Sequence, residues 1–339
     1  MKRLHQAHDI VWVVMASLLI CSLTLGVMVG TAEARREFVR FGGSNPGGSW
    51  FTMVGGISAV MNKYIKDLNV TPIATGGSAD NNRLGRKHEL DTWLTHSLTA
   101  YDNWNGVGLF KGQGSFKDLR MLSGIYESWH HFVVLDRSDV RTLADLKGKI
   151  VCVGAAGSGA AVNSENIFRT LGLWDQIKPE SWTFDACGRG LLDGQVGAIS
   201  FSSAPMPAIV TVEAMKKIRL IALTDEEFEK VLAKFPPYKR SMMPAGVYKT
   251  WKKEYPCIAF QVYWAGHKKA KPEWIYKLLK VAFDPKNAKT IGRIHRQWKT
   301  LSASLNSMKS MGIPLHAGAV KFWKERGLTI PSELIPPEM

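Results

Sequence analysis

The order strand, glycine–serine loop, helix, met repeatedly along the chain, constrains its fold more than any other feature. REFVRFGG reads as a strand and SNPGGS (Ser44 to Ser49) as a loop. The next segment then sets Phe51, Val54, Ile57, Val60, Met61, Tyr64, Ile65 and Leu68 at helical spacing. VTPIAT, the loop TGGS (Thr75 to Ser78) and a short helix from Ala79 to Lys87 repeat the order, and LDTWLT adds a third strand. Further along, GKIVCVG, the loop AAGSG and a helix from Ala160 to Leu171 begin a second run, which SWTFDA, VGAISF and IRLIAL continue. Strands alternating with helices predict mostly parallel sheets covered on both faces. Two such runs predict two α/β lobes.

Between the runs, Leu119 to Leu135 is a long apolar connection that carries the chain from one lobe to the other, and Cys257 to Trp264 brings it back. The expected organisation is a first lobe over residues 35–133, joined by the returning segment 258–339, and a second lobe over 134–257. The last part of the chain is helical, with Trp274, Ile275, Leu278, Leu279, Val281 and Ala282 on one face. A chain that crosses twice between lobes implies a hinge and a cleft.

The N-terminus has the layout of an export signal. Lys2 and Arg3 precede an uncharged stretch from Ile10 to Thr31, and Ala32-Glu33-Ala34 follows as a cleavage site, so residues 1–34 are expected to be removed. The apolar stretch is also long enough to span a bilayer, which leaves a retained anchor as the alternative. Cys21 follows Ile20 rather than a small residue, against lipidation. The net charge is +15, and the removed segment carries two bases and two acids, so export leaves it unchanged. A basic surface attracts anions. Its lysines and arginines are scattered rather than gathered into an arm, and no nucleic-acid partner is expected. Of four cysteines, Cys152, Cys187 and Cys257 outlast cleavage; their odd number and wide spacing indicate no disulfide framework, and the apolar strand-like runs around Cys152 and Cys257 read as holding buried free thiols.

The three loops carry the functional signal. Each follows a strand and opens a helix, where free N–H groups and the positive end of the helix dipole favour an anion. Ligands of open α/β sheets bind beyond the carboxyl ends of the strands. The expected ligand-binding residues are Ser44, Gly48, Ser49 and Trp50 of the first loop, Gly76, Gly77, Ser78 and Asn81 of the second, and Gly157, Ser158 and Gly159 of the third. Ser97 and Ser202 join them at strand ends. Trp93, Trp104 and Trp129 read as core. GAAGSG has the wrong order for a dinucleotide fingerprint and lacks the P-loop lysine. No G-x-S-x-G, H-E-x-x-H or C-x-x-C occurs. His130 and His131 are neighbours on an extended chain and face opposite ways, a poor metal pair. No metal, cofactor or catalysis is expected; an exported enzyme using Ser158 or His131 is the rival from another class.

GGSNPGGSWF, ATGGSADNNRL, AYDNWNG, LADLKGKIVCVGAAGSG and IPLHAGAVKFWKERG resemble the TAXI group of extracytoplasmic solute-binding proteins over nearly all of residues 38–327. These proteins serve tripartite ATP-independent periplasmic (TRAP) transporters. The resemblance implies an α/β, two-lobed periplasmic-binding-protein fold with a ligand cleft at the hinge. It also implies a monomer in the periplasm that takes a small organic anion, a carboxylate or amino acid, and delivers it to a TRAP-type membrane permease. A ligand-sensing subunit with the same fold is the alternative. Three departures bear on the ligand. Ser49, Trp50, Phe51 and Thr52 stand where the family commonly has T-Y-Y-P; His96-Ser97-Leu98 replaces Q-S-D; and Ala160 replaces a threonine. Fewer hydroxyls and one acid less imply a site less polar than is usual there.

Overall fold

The computed structural model describes residues 36–339; the expected export signal, residues 1–34, lies outside the described residues. Among the described residues, no helix is long and apolar enough to cross a membrane. Ten strands form one curled, mixed sheet with helices against it.

In chain order, β1 (Glu37–Gly42), α1 (Ser49–Tyr64), β2 (Leu68–Ile73), α2 (Ser78–Arg86), β3 (Thr92–His96) and α3 (Ser97–Asn105) precede the long strand β4 (Leu119–Leu135). Then come β5 (Ile150–Cys152), α4 (Gly159–Thr170), β6 (Lys178–Glu180), α5 (Phe184–Asp193), β7 (Ala198–Ser202), α6 (Pro207–Met215), β8 (Ile218–Ile221), α7 (Asp225–Lys234) and β9 (Lys239–Met243). A second long strand, β10 (Tyr255–His267), leads into α8 (Pro272–Ala282), α9 (Pro285–Ile294), α10 (Leu305–Met311) and α11 (Ala317–Glu325). SWTFDA does not form a strand. The strand is β6 just before it, and Thr183 caps α5 by accepting from Ala186 N–H, so the helix begins inside that motif.

The strand order is β2-β1-β3-β10-β4-β7-β5-β6, with β8 also on β4 and β9 also on β10. The pairs β1/β3, β5/β6 and β5/β7 are parallel. Every strand pairing of β4 or β10 in the sheet is antiparallel, and the two run against each other from Ala259↔Trp129 to His267↔Leu119; the isolated bridge Met121↔Leu315 is parallel. The two lobes are thus stitched through one pair of strands.

One apolar core combines residues 39–126 with 262–334. Two more flank the other half of the sheet, and β4 separates them by its pleat: Val133 and Leu135 enter one, Phe132 and Val134 the other. In α8 the buried Ile275, Leu278, Leu279 and Ala282 recur at spacings of three and four, which turns one face toward the core. Ile275, Leu278 and Leu279 each contribute about 1.5–3 kcal/mol on burial.

Cys152 and Cys187 form a disulfide with Cα atoms 5.7 Å apart, contrary to the reading of Cys152 as a free thiol and to the expectation of no disulfide framework. The spacing of 35 residues hides the fact that β5 and α5 pack side by side. Cys257 is free and buried. His130 and His131 do face opposite sides. His130 meets the hydroxyls of Ser200 and Ser202, and His131 meets the Tyr248 hydroxyl.

Candidate ligand cavity

A small cavity of about 30 Å³ lies where the three glycine–serine loops converge. Its wall takes Ser44, Gly48, Ser49 and Trp50 from the first loop, Gly77 and Ser78 from the second, and Ser158 and Gly159 from the third. Ser202 is the other expected residue there, and His96, Ala160, Phe184, Ser203 and Met206 join the wall.

Helix starts dominate the wall. Gly48, Gly77, His96, Ser158 and Met206 are the N-cap residues of α1, α2, α3, α4 and α6, and Phe184 is the first residue of α5. Each helix N-terminus carries about half a positive charge on N–H groups without intrahelical partners. No lysine, arginine, aspartate or glutamate lines the cavity. The positive potential of the wall therefore comes from backbone dipoles, offset in part by Asp80 and Asp185 in the first turns of α2 and α5, which lie outside the wall.

The loops of the two halves touch directly. Asp80 N–H donates to the Gly157 carbonyl at 3.0 Å, and Ser49 Oγ donates to the Pro205 carbonyl at 3.2 Å. Trp50 is 5 % exposed and roofs the cavity; its indole N–H donates to the Tyr126 hydroxyl at 2.7 Å, which in turn bonds Ser203 Oγ at 2.8 Å.

Most wall hydroxyls already have partners. Ser78 Oγ accepts from His96 N–H at 2.9 Å, Ser158 Oγ caps α4 through Ala161 N–H, and Ser202 Oγ accepts from the Asn163 amide at 3.1 Å. His96 differs. Its Nδ1 lies 3.4 Å from the Asn163 amide nitrogen, while Nε2 is buried with no partner. Burial pushes the imidazole down to about 3, so it is neutral. Tyr238 O–H donates to Asn163 Oδ1 at 2.6 Å, which turns the amide NH₂ toward His96. Nδ1 then accepts, and the ring proton sits on Nε2.

Four expected residues do not line this cavity. Asn81 is fully buried, and its amide donates to the carbonyls of Gly43 and Leu94 while Oδ1 accepts from Thr75, so it ties loop to strand. Gly76 and Gly157 serve the contact between loops: a Cβ on Gly76 would lie 2.6 Å from the Ala156 carbonyl oxygen, and Gly157 supplies the acceptor for Asp80. Ser97 lines a different and larger groove of about 890 Å³, shared with Asp102, Glu165, Lys234 and Lys239. Adjacent residues diverge at the end of β3, so His96 takes the place in the cavity that Ser97 was expected to hold. The larger groove mixes both signs of charge and receives none of the three loops, so it is the weaker place for an anion.

The NMT1-like family model matches residues 41–327. Among solved structures, the chain is similar to PhnD1 from Prochlorococcus marinus in complex with methylphosphonate, at 12 % identity and a TM-score of 0.51, with 81 % of this chain and 97 % of that one covered. It is also similar to the alkanesulfonate-binding protein SsuA from Xanthomonas axonopodis pv. citri bound to MOPS, at 13 % identity, a TM-score of 0.48 and coverage of 90 % and 98 %. A match over most of its length assigns the family: the chain belongs to the NMT1-like family.

Proposed function

We propose that this protein is an extracytoplasmic solute-binding protein that captures a small organic anion between its two lobes and delivers it to a TRAP-type membrane permease. The carrying observation is the convergence of six helix starts on one cavity that has no ionised side chain in its wall. Three or four hydrogen bonds to a charged ligand, at about 1.5–3 kcal/mol each, support a micromolar complex of about 8 kcal/mol after ordering costs. Arginine is not needed. Family membership supports binding without chemistry. In this reading residues 1–34 direct export to the periplasm, and the lobes are residues 35–133 with 258–339, and residues 134–257. The protein acts as a monomer, opening and closing about β4 and β10, and a ligand that prefers the closed form shifts the population toward it.

Small-angle scattering on the purified protein, with mass analysis of the recovered solute, tests this. Saturation with a bound acid should reduce the radius of gyration and return the acid unchanged. Conversion of the acid would overturn the binding role, and binding with an unchanged radius would overturn closure. Reconstitution with a TRAP permease from the same genome tests delivery: solute uptake should require this protein, and uptake without it would sink that part.

A further inference from the structure

We infer that the solute is a small oxyanion carrying no ammonium group, and that His96 Nε2–H is the side-chain donor that recognises it. This narrows the class of solute and rests on the reading of the cavity as the solute site.

Two independent observations lead here. First, the wall presents the N-termini of α1, α2, α3, α4 and α6 and the first residue of α5, with no carboxylate among its residues. An amino acid would bring its ammonium into the same field with no carboxylate in the wall to pair with it; Asp80 and Asp185, in the first turns of α2 and α5, do not reach the wall. Dipole repulsion adds over several helix ends, enough for a preference of at least about tenfold against the zwitterion. Second, His96 is 3 % exposed, lines the cavity, and has the one side-chain polar atom of that wall that is buried without a partner among the described residues. A buried unpaired donor is costly, and an acceptor on a bound solute would satisfy it.

The chain Tyr238 O–H to Asn163 Oδ1, and Asn163 NH₂ to His96 Nδ1, sets the tautomer so that this free atom is a donor. A donor fits an anionic oxygen and rejects an ammonium. Ring contacts hold the imidazole in place: the Trp50 ring stands edge-on to it at 4.9 Å between centroids, and Phe260 lies at 4.6 Å. The cavity has room for about two or three water-sized groups, the scale of a carboxylate group; a phosphonate or sulfonate would need the loops to part further.

Calorimetry with three matched pairs tests the inference: acetate and glycine, methylphosphonate and aminomethylphosphonate, methanesulfonate and aminomethanesulfonate. In every pair that binds, the ammonium-free member should bind at least about tenfold more tightly. His96→Phe keeps a ring and removes the donor; it should lose about tenfold to hundredfold in affinity, and His96→Gln, which retains an N–H, should recover most of it. Nitrogen NMR of the parent should find Nε2 protonated and Nδ1 unprotonated, with the Nε2 signal moving when ligand is added. Equal or tighter binding of the ammonium compounds would overturn the inference and leave solute capture intact, as would unchanged affinity in a folded His96→Phe. Failure of the six compounds and of a wider acid panel to bind, with a cooperative thermal melt, would overturn the cavity reading itself.

Discussion

Asp80 N–H donates to the Gly157 carbonyl at 3.0 Å, so the loop at the start of α2 is bonded to the loop at the start of α4 across the two halves of the protein. Gly77 makes this approach possible. At φ 118° and ψ −151° it occupies a region that side chains avoid, and a Cβ there would lie 3.3 Å from Ser158 Cα.

Gly77→Val should therefore impair closure before it impairs folding. Backbone strain of about 1–3 kcal/mol, added to displacement of the Ser158 loop, should weaken solute affinity by about tenfold or more. Gly157→Ala, one step from the cavity, should cost less. Calorimetry of both variants, with circular dichroism as the check on folding, compares them; equal affinity in Gly77→Val and the parent would refute the loop-contact argument.

The disulfide between Cys152 and Cys187 closes a loop of 35 residues and anchors α5, whose first residue forms part of the cavity wall. Loop-closure entropy of that size is worth about 3–4 kcal/mol. The double variant Cys152→Ser/Cys187→Ser should lose about that much in urea unfolding, and peptide mapping without reduction should recover the two cysteines linked. Separate, alkylatable thiols in native protein would contradict the pairing.

Stability should fall steeply in mild acid. His96 is lowered to about 3 and His131, His295 and His316 to about 4, each mainly by burial, and His130 is lowered well below its ordinary value. These rings bind a proton on unfolding but not in the native protein. Their contribution is whole above about pH 6.5 and is lost as pH drops toward 4, at about 1.4 kcal/mol per pH unit for each histidine. Asp102 runs the other way. Burial raises its carboxyl to about 6, so its ionised form is a liability at neutral pH that disappears in acid. Asp102→Asn should then stabilise by about 1–2 kcal/mol at neutral pH, after allowance for solvent at its rim, and by nothing near pH 4. Urea midpoints across this pH range check both; a flat profile for the parent would count against the buried neutral histidines.

Much of the site was legible because its chemistry is local. A glycine–serine loop between a strand and a helix is recognisable from adjacent residues, and Ser44, Gly48, Ser49, Trp50, Gly77, Ser78, Ser158, Gly159 and Ser202 all reach the cavity. His96 stands out after the third strand, yet Ser97 reads as the better hydroxyl donor, and a shift of one position at a strand end reverses which side chain faces the cavity. Phe184 and Met206 carried no signal, since SWTFDA resembles a strand and Met206 looks like any apolar residue before a helix.

The sequence by itself determined the alternation of strands and helices, the positions of the loops and the two long crossings, because helical and strand periodicities are read over neighbouring residues. Only the tertiary structure decided that six helix starts share one cavity, that Asn81 ties loop to strand instead of lining that cavity, that Cys152 meets Cys187, and that His96 keeps an unpaired donor. Each of these depends on which distant segments the antiparallel pair β4 and β10 brings together. No local pattern encodes a distance between residues so far apart in the chain.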